Sequence, residues 1–150
     1  MSRSEGPVTY VESTIIMTTI RLVSPFVFAY GLFVMFHGAE SAGGGFQGGV
    51  LVAASLILVA FAFGIEPTRA WITDGPARIA ITAGAFTFVG IGLGALVSGG
   101  RFLEYAAFEV PHGTKYGIEL VELGIGAIVA GVILSLFMNL AAGTSGGESR

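Results

Sequence analysis

Four stretches of this chain carry no Asp, Glu, Lys or Arg: Leu22–Ala39, Ser41–Ile65, Ile79–Gly100 and Leu123–Gly147, of 18, 25, 22 and 25 residues. A helix crossing the hydrocarbon core of a bilayer needs roughly 20 predominantly apolar residues, so each run holds one crossing and none holds two. The runs predict four helices, over about residues 14–36, 47–64, 79–98 and 117–140. The alternating ten-residue segments of a membrane barrel are absent from the sequence. In lipid every backbone N–H and C=O must be satisfied within the protein, which leaves an all-α membrane bundle. The expectation is a single membrane domain over 1–150, with a short N-terminal tail (1–13) and a frayed Gly/Ser-rich C-terminal tail (141–150).

Composition removes the other classes. Charged residues make up 11% of the chain, against about 25% in soluble domains. A mean hydropathy of +0.83 excludes intrinsic disorder. The net charge is −3 and no basic run is present, so nucleic acid has no electrostatic footprint to meet. The 24 glycines follow no Gly-X-Y period, which excludes collagen. Cysteine is absent, which excludes disulfides, iron–sulfur clusters and thiolate metal sites. His37 and His112 lie too far apart in sequence for metal-ligand spacing. No cofactor and no metal are expected.

The charged residues give orientation and connections. Arg3 is followed by Glu5 and Glu12, and the apolar stretch after them starts late and runs too long for a signal peptide. With both termini on one side, that side holds Arg3, Arg21, Arg69, Arg78 and Arg150, and the other holds Arg101 and Lys115, which favours cytoplasmic termini in the cell membrane. Arg21 sits at the entry of the first helix, within reach of the headgroups by snorkelling. Ser24-Pro25 marks either a kink or the true first turn. Tyr10, Tyr30, Trp71, Tyr105 and Tyr116 mostly lie near predicted helix ends, as interfacial aromatics do. The connection Ile65–Arg78, with Pro67, Gly75 and Pro76, reads as a plain loop. The connection Gly99–Tyr116 mixes Arg101, Phe102, Glu104, Tyr105, Phe108 and Glu109, and reads as a short interfacial segment of one or two turns ended by Pro111.

Against this background four features stand out. Six of residues 38–49 are glycine. Gly43-x-Gly45-x-x-Gly48 formally matches a dinucleotide fingerprint, but a lipid-length helix precedes it where a strand is required. The P-loop spacing also fails, because Gly49-Val50 stands in place of Lys-Ser/Thr. Two readings remain for Gly43, Gly44, Gly45, Phe46, Gly48 and Gly49: a tight interhelical turn, or a loop packed against a partner protein. Glu119 and Glu122, three residues apart, share one face near the start of the last helix. Glu122, about 12 Å along a helix counted from Thr114, falls inside the apolar zone. A carboxylate there costs about 2.5–3.5 kcal/mol on insertion scales, and is paired, protonated or turned to a cavity. The readings are a proton or cation relay, or a structural pair at the headgroups or a neighbouring subunit. His37, with Glu40 close by, is either a proton carrier or a partner for the helix dipole. Finally, Gly90-x-x-x-Gly94, Gly126-x-x-x-Ala130 and Ala127-x-x-x-Gly131 are spacings for close helix packing. No inverted repeat or broken helix pair is present, so a complete transporter in this chain alone is not expected. Nor is a free-standing enzyme, for want of a nucleophile–base pair.

His37-Gly38, the block Gly43-Gly44-Gly45-Phe46-Gln47-Gly48-Gly49 and the helix ending Ala60-Phe61-Ala62-Phe63-Gly64 resemble the MnhB/MrpB family, a small membrane subunit of Mrp-type multisubunit cation/proton antiporters. Members typically carry GH-x-x-PGGGF-x-GG here; in this chain Ala42 stands where proline is usual, and Phe36-His37-Gly38 replaces the usual opening. Glu119, Glu122, Gly124 and Gly126 resemble the family's acidic (D/E)-x-G stretch near the start of its last helix. The resemblance spans about residues 14–140, and the triple-glycine block is its specific part. It implies a role in exchanging Na⁺ or another monovalent cation for protons, beside other membrane subunits and with ion-path candidates at Glu119, Glu122 and His37. The same kind of subunit occurs in complex I-related redox pumps, namely archaeal membrane-bound hydrogenases and sulfane sulfur reductases. The sequence leaves three readings: antiporter subunit, redox-pump subunit or structural assembly subunit.

Overall fold

The computed structural model describes residues 13–38, 40, 43–72 and 74–145. Arg3, Tyr10, Ala42 and Arg150, and with them most of both expected tails, lie outside the described residues. Four long helices carry the fold: α1 (Thr14–Phe36), α2 (Gly45–Phe63), α4 (Asp74–Val97) and α5 (Gly113–Ser145). A short helix α3 (Ile65–Trp71) joins α2 to α4, and a 3₁₀ turn (Tyr105–Phe108) lies in the connection to α5. No strand occurs among the described residues. All four long helices are long and apolar enough to cross a membrane.

The packing order is α1–α2–α5–α4, with α1 and α4 outermost. Small side chains fill the inside: Ala53, Ala60, Ala62 and Ala95 are fully buried, while Phe26, Phe46, Phe86 and Val97 are exposed. That is the arrangement lipid favours. Large apolar groups gain nothing by leaving hydrocarbon, so helices associate through close backbone approach. One cluster, Ala60, Leu134 and Met138 with Leu56, Ile57 and Phe137, ties the α3 end of α2 to α5.

Several expectations need correction. Residues 65–78 are not a plain loop, because α3 occupies Ile65–Trp71 and α4 begins at Asp74 rather than 79. Pro67 and Pro76 do not break helices here; each falls in the first turn of its helix. A first-turn N–H has no intrahelical partner, so proline there removes no bond. Pro25 is not the first turn: α1 starts eleven residues earlier and runs through it. α2 starts at Gly45 rather than 47, and α5 starts at Gly113 rather than 117 and continues to Ser145 rather than 140. The expected tail is therefore helical over 141–145. The short interfacial segment of the third connection is found, as one 3₁₀ turn over Tyr105–Phe108.

The glycine spacings also sort out differently. Nothing lies within 4 Å of a Cβ placed at Gly90, so that position packs on no described residue. α4 instead meets α5 through Gly84 and Gly124. A Cβ at Gly124 would come within 2.9 Å of the Gly84 carbonyl oxygen, and a Cβ at Gly84 would overlap the Gly124 carbonyl. A Cβ at Gly131 would likewise lie 3.0 Å from the Ala77 carbonyl oxygen.

Candidate functional site

The site forms where the α1–α2 turn meets the start of α5. Thr14, Phe63 and α3 mark one end of the bundle. Phe36, Gly45, the 3₁₀ turn and Gly113 mark the other, since α1 and α2 are consecutive antiparallel crossings. At this second end Gly44 adopts φ +134°, a conformation open to glycine, and its N–H donates to the Val34 carbonyl (3.3 Å). That bond folds the chain back on α1 and launches α2 at Gly45.

Glycine then lets α2 lie directly on its neighbours. A Cβ at Gly45 would overlap the Glu122 carbonyl, and one at Gly49 would sit 2.6 Å from the Gly126 carbonyl oxygen. On the next face a Cβ at Gly48 would be 2.7 Å from the Gly31 carbonyl oxygen on α1. Gly126 in turn leaves room for Met35, whose Cε would be 2.6 Å from a Cβ there. A Cβ at Gly43 would lie 2.9 Å from the Val34 carbonyl oxygen. Phe46 differs from the glycines around it: it is 65% exposed and lines a shallow groove with Tyr30 and Val34 of α1.

This approach closes the glycine turn over the Glu122 carboxylate. A Cβ at Gly38 would overlap it, and one at Gly44 would lie 3.2 Å from Oε1. Glu122 Oε2 is buried and has no hydrogen-bond partner among the described residues. Tyr105, on the 3₁₀ turn, packs on Gly117, one and a half turns before Glu122. Burial pushes the Tyr105 phenol above its ordinary range, and the Glu122 charge pushes it further in the same direction.

Toward the membrane surface the charges form a ladder. Lys115, Glu119 and Glu122 recur at i, i+4 and i+7 on one face of α5. Lys115 Nζ donates to Glu40 Oε1 across 75 residues of sequence, and its distance to Glu119 Oε1 is 4.0 Å. Glu119 is half-buried, while Glu40 and Lys115 are exposed. The His37 ring stacks on Phe33 (centroids 4.1 Å apart), and its Nδ1 lies 3.2 Å from the Phe33 carbonyl oxygen.

Of the residues singled out in the sequence, Glu119, Glu122, Gly43, Gly44, Gly45, Gly48, Gly49 and Gly126 converge on one region, with His37 at its edge, while Gly124 faces Gly84 on α4. Lys115, Tyr105 and Gly38 carry the site beside them, and sequence reasoning misses all three. The spacing of Lys115 to Glu119 and Glu122 is a usable signal for the first. Gly38 belongs to the glycine-rich stretch 38–49, whereas no local pattern announces Tyr105, because its role depends on contact between distant segments.

The Lys115 ammonium holds the Glu40 carboxyl below the usual carboxylate range, by its hydrogen bond first and its charge second. A depressed folded value means that the pair's contribution is present above the ordinary carboxylate range and is lost as pH falls through the lowered value. Thermal unfolding in detergent should therefore show an acid-side loss of stability that shrinks in Lys115→Met. Equal acid sensitivity of both proteins would mean that the exposed pair is screened into irrelevance.

Four helices long and apolar enough to cross a membrane, with the Glu122 carboxylate held beneath a glycine turn at one end of the bundle, define a small multi-pass membrane protein. The chain belongs to the MnhB family: residues 15–135 match the domain related to the MnhB subunit of Na⁺/H⁺ antiporter. It is similar to the B-type Na⁺/H⁺ antiporter subunit of Bacillus subtilis strain 168, at 25% identity over 84% of this chain and 91% of that protein. The corresponding antiporter subunit of Alkalihalophilus pseudofirmus is 26% identical over 87% of this chain and 93% of its own length. A putative antiporter subunit mnhB2 of Staphylococcus aureus strain MRSA252 is 31% identical over 89% and 99%. The family is one of transporter components rather than catalytic enzymes.

Proposed function

We propose that this chain serves as the MnhB-type subunit of a multisubunit Na⁺/H⁺ antiporter in the cytoplasmic membrane, and that Glu122 takes up and releases protons on the complex's ion path. The family match over residues 15–135, with relatives named as Na⁺/H⁺ antiporter subunits and matched over most of their length, supports the first part. The second rests on one observation: a carboxylate oxygen enclosed beneath Gly38 and Gly44 with no hydrogen-bond partner among the described residues. An ionised carboxylate is expensive in such a place, and its neutral form is not, so proton exchange is the chemistry it offers. Glu119, Lys115 and Glu40 lead from Glu122 to the surface, and His37 stands beside Glu40. Phe46 and the exposed face of α1 are available to other membrane subunits. With Arg21, Arg69 and Arg78 at the α3 end and Arg101 and Lys115 at the other, both termini are assigned to the cytoplasm, so the Glu122 end faces outward.

The test uses the whole assembly. Affinity purification of the tagged chain should bring other membrane subunits with it. Everted vesicles from cells lacking the chain should lose Na⁺-driven proton movement and regain it on complementation. Undiminished exchange in the deletion strain would overturn the assignment.

A further inference from the structure

The bundle end opposite Glu122 carries a second polar group that transport leaves unexplained. Arg21 lies seven residues into α1, about 10 Å along its axis. Its side chain crosses to α2 and places the guanidinium 4.6 Å from the ring centroid of Phe63, the last residue of that helix. The stem is in the apolar zone and the charge is carried toward the membrane boundary. Among the described residues Arg21 makes no ion pair. One turn further along, Ser24 is 4% exposed and its hydroxyl has no hydrogen-bond partner among those residues. Arg21 and Ser24 together line a cavity of about 390 Å³ whose other walls include Phe28, Leu56, Val59 and Phe63. A second cavity, of about 460 Å³, shares Leu56, Val59 and Phe63 with the first and continues to Trp71 on α3. Trp71 is 88% exposed, and Arg69 stands on the same short helix.

We propose that this face seats one anionic phospholipid, with its phosphate on the Arg21 guanidinium and its acyl chains in the two apolar grooves that share the Leu56–Val59–Phe63 wall. Charge complementarity selects an anion, since the arginine lacks a carboxylate among the described residues. The position of the guanidinium beside the last residue of α2 is that of the headgroup boundary, where a phosphate lies.

The experiment uses the purified antiporter containing the chain, delipidated and then exchanged into mixed micelles with phosphatidylglycerol or phosphatidylcholine, with bound lipid counted by native mass spectrometry. Wild type should retain phosphatidylglycerol in preference to phosphatidylcholine. Arg21→Gln should weaken that retention about fivefold, the worth of one arginine beside an anionic lipid. Arg21→Lys should restore most of it. Val59→Trp, which fills the shared wall and keeps the charge, should weaken retention of the same lipid. Retention that is indifferent to headgroup, unchanged in Arg21→Gln, or unchanged in Val59→Trp would overturn the proposal. So would a photo-crosslinker at position 59 that captures another subunit in place of lipid. Na⁺-driven exchange by the same preparations reports on the antiporter assignment separately, because neither Arg21 nor Val59 belongs to the Glu122 site.

Discussion

Glu122→Gln is expected to lower Na⁺-dependent proton movement by the assembled antiporter about a hundredfold, the low end of what a positioned proton-transferring group contributes. Glutamine keeps the shape and the polar atoms but cannot take up a proton. Oε2 has no hydrogen-bond partner to lose among the described residues, so the substitution leaves no new orphan group. The glycines around the carboxylate leave space that the amide fits equally well. Assembly and membrane content should therefore match wild type, and thermal stability should hold or rise as a costly membrane-depth charge is removed. Glu119→Gln should do less, because Glu119 is half-buried, nearer the surface and already beside Lys115. Measurement in everted vesicles, with complex content checked on the same samples, separates the outcomes. Unchanged exchange in Glu122→Gln at normal complex content would reduce Glu122 to a structural group.

Gly45→Val is expected to be the most damaging substitution in the scaffold, destabilising the chain by about 3 kcal/mol or more. The first added carbon would overlap the Glu122 backbone carbonyl, which cannot move without displacing α5. A flexible side chain could yield there; a helix backbone cannot. Because α2 lies between α1 and α5, the separation would spread to the whole bundle and would also unseat the Glu122 carboxylate. Gly90→Ala is the matched control. Nothing lies within 4 Å of its Cβ, so helix propensity alone acts, and the change should fall within about 1 kcal/mol on the stabilising side. Membrane accumulation and thermal unfolding in detergent would read both. Normal accumulation of Gly45→Val would mean that α2 and α5 do not touch here in the membrane.

Charge-free runs fixed the number of crossings, because lipid tolerates few charges and demands complete backbone pairing. They located the helix centres well and the helix ends poorly. Pro67 and Pro76 look the same in sequence whether they stop a helix or begin one, and the difference lies in the free N–H positions of a first turn. The Gly43–Gly49 block is conspicuous as a pattern, but its partners are not. Gly45 meets Glu122, Gly48 meets Gly31 and Gly49 meets Gly126, all pairings between segments distant in sequence. Gly90-x-x-x-Gly94 has the same small-residue spacing, yet Gly90 packs on nothing described.

By itself, then, the sequence determined that this protein lives in lipid as four helices and that Glu119 and Glu122 are its conspicuous membrane carboxylates. Burying a charge or an unpaired peptide in hydrocarbon costs several kcal/mol, and so large a cost is written into composition and run length. Which glycine faces which carbonyl, that Lys115 reaches Glu40 rather than lipid, and that the glycine turn closes over Glu122 were decided by the tertiary structure. Those outcomes depend on the rotation and separation of helices to within an ångström, and close packing between distant segments leaves no periodic trace along the chain.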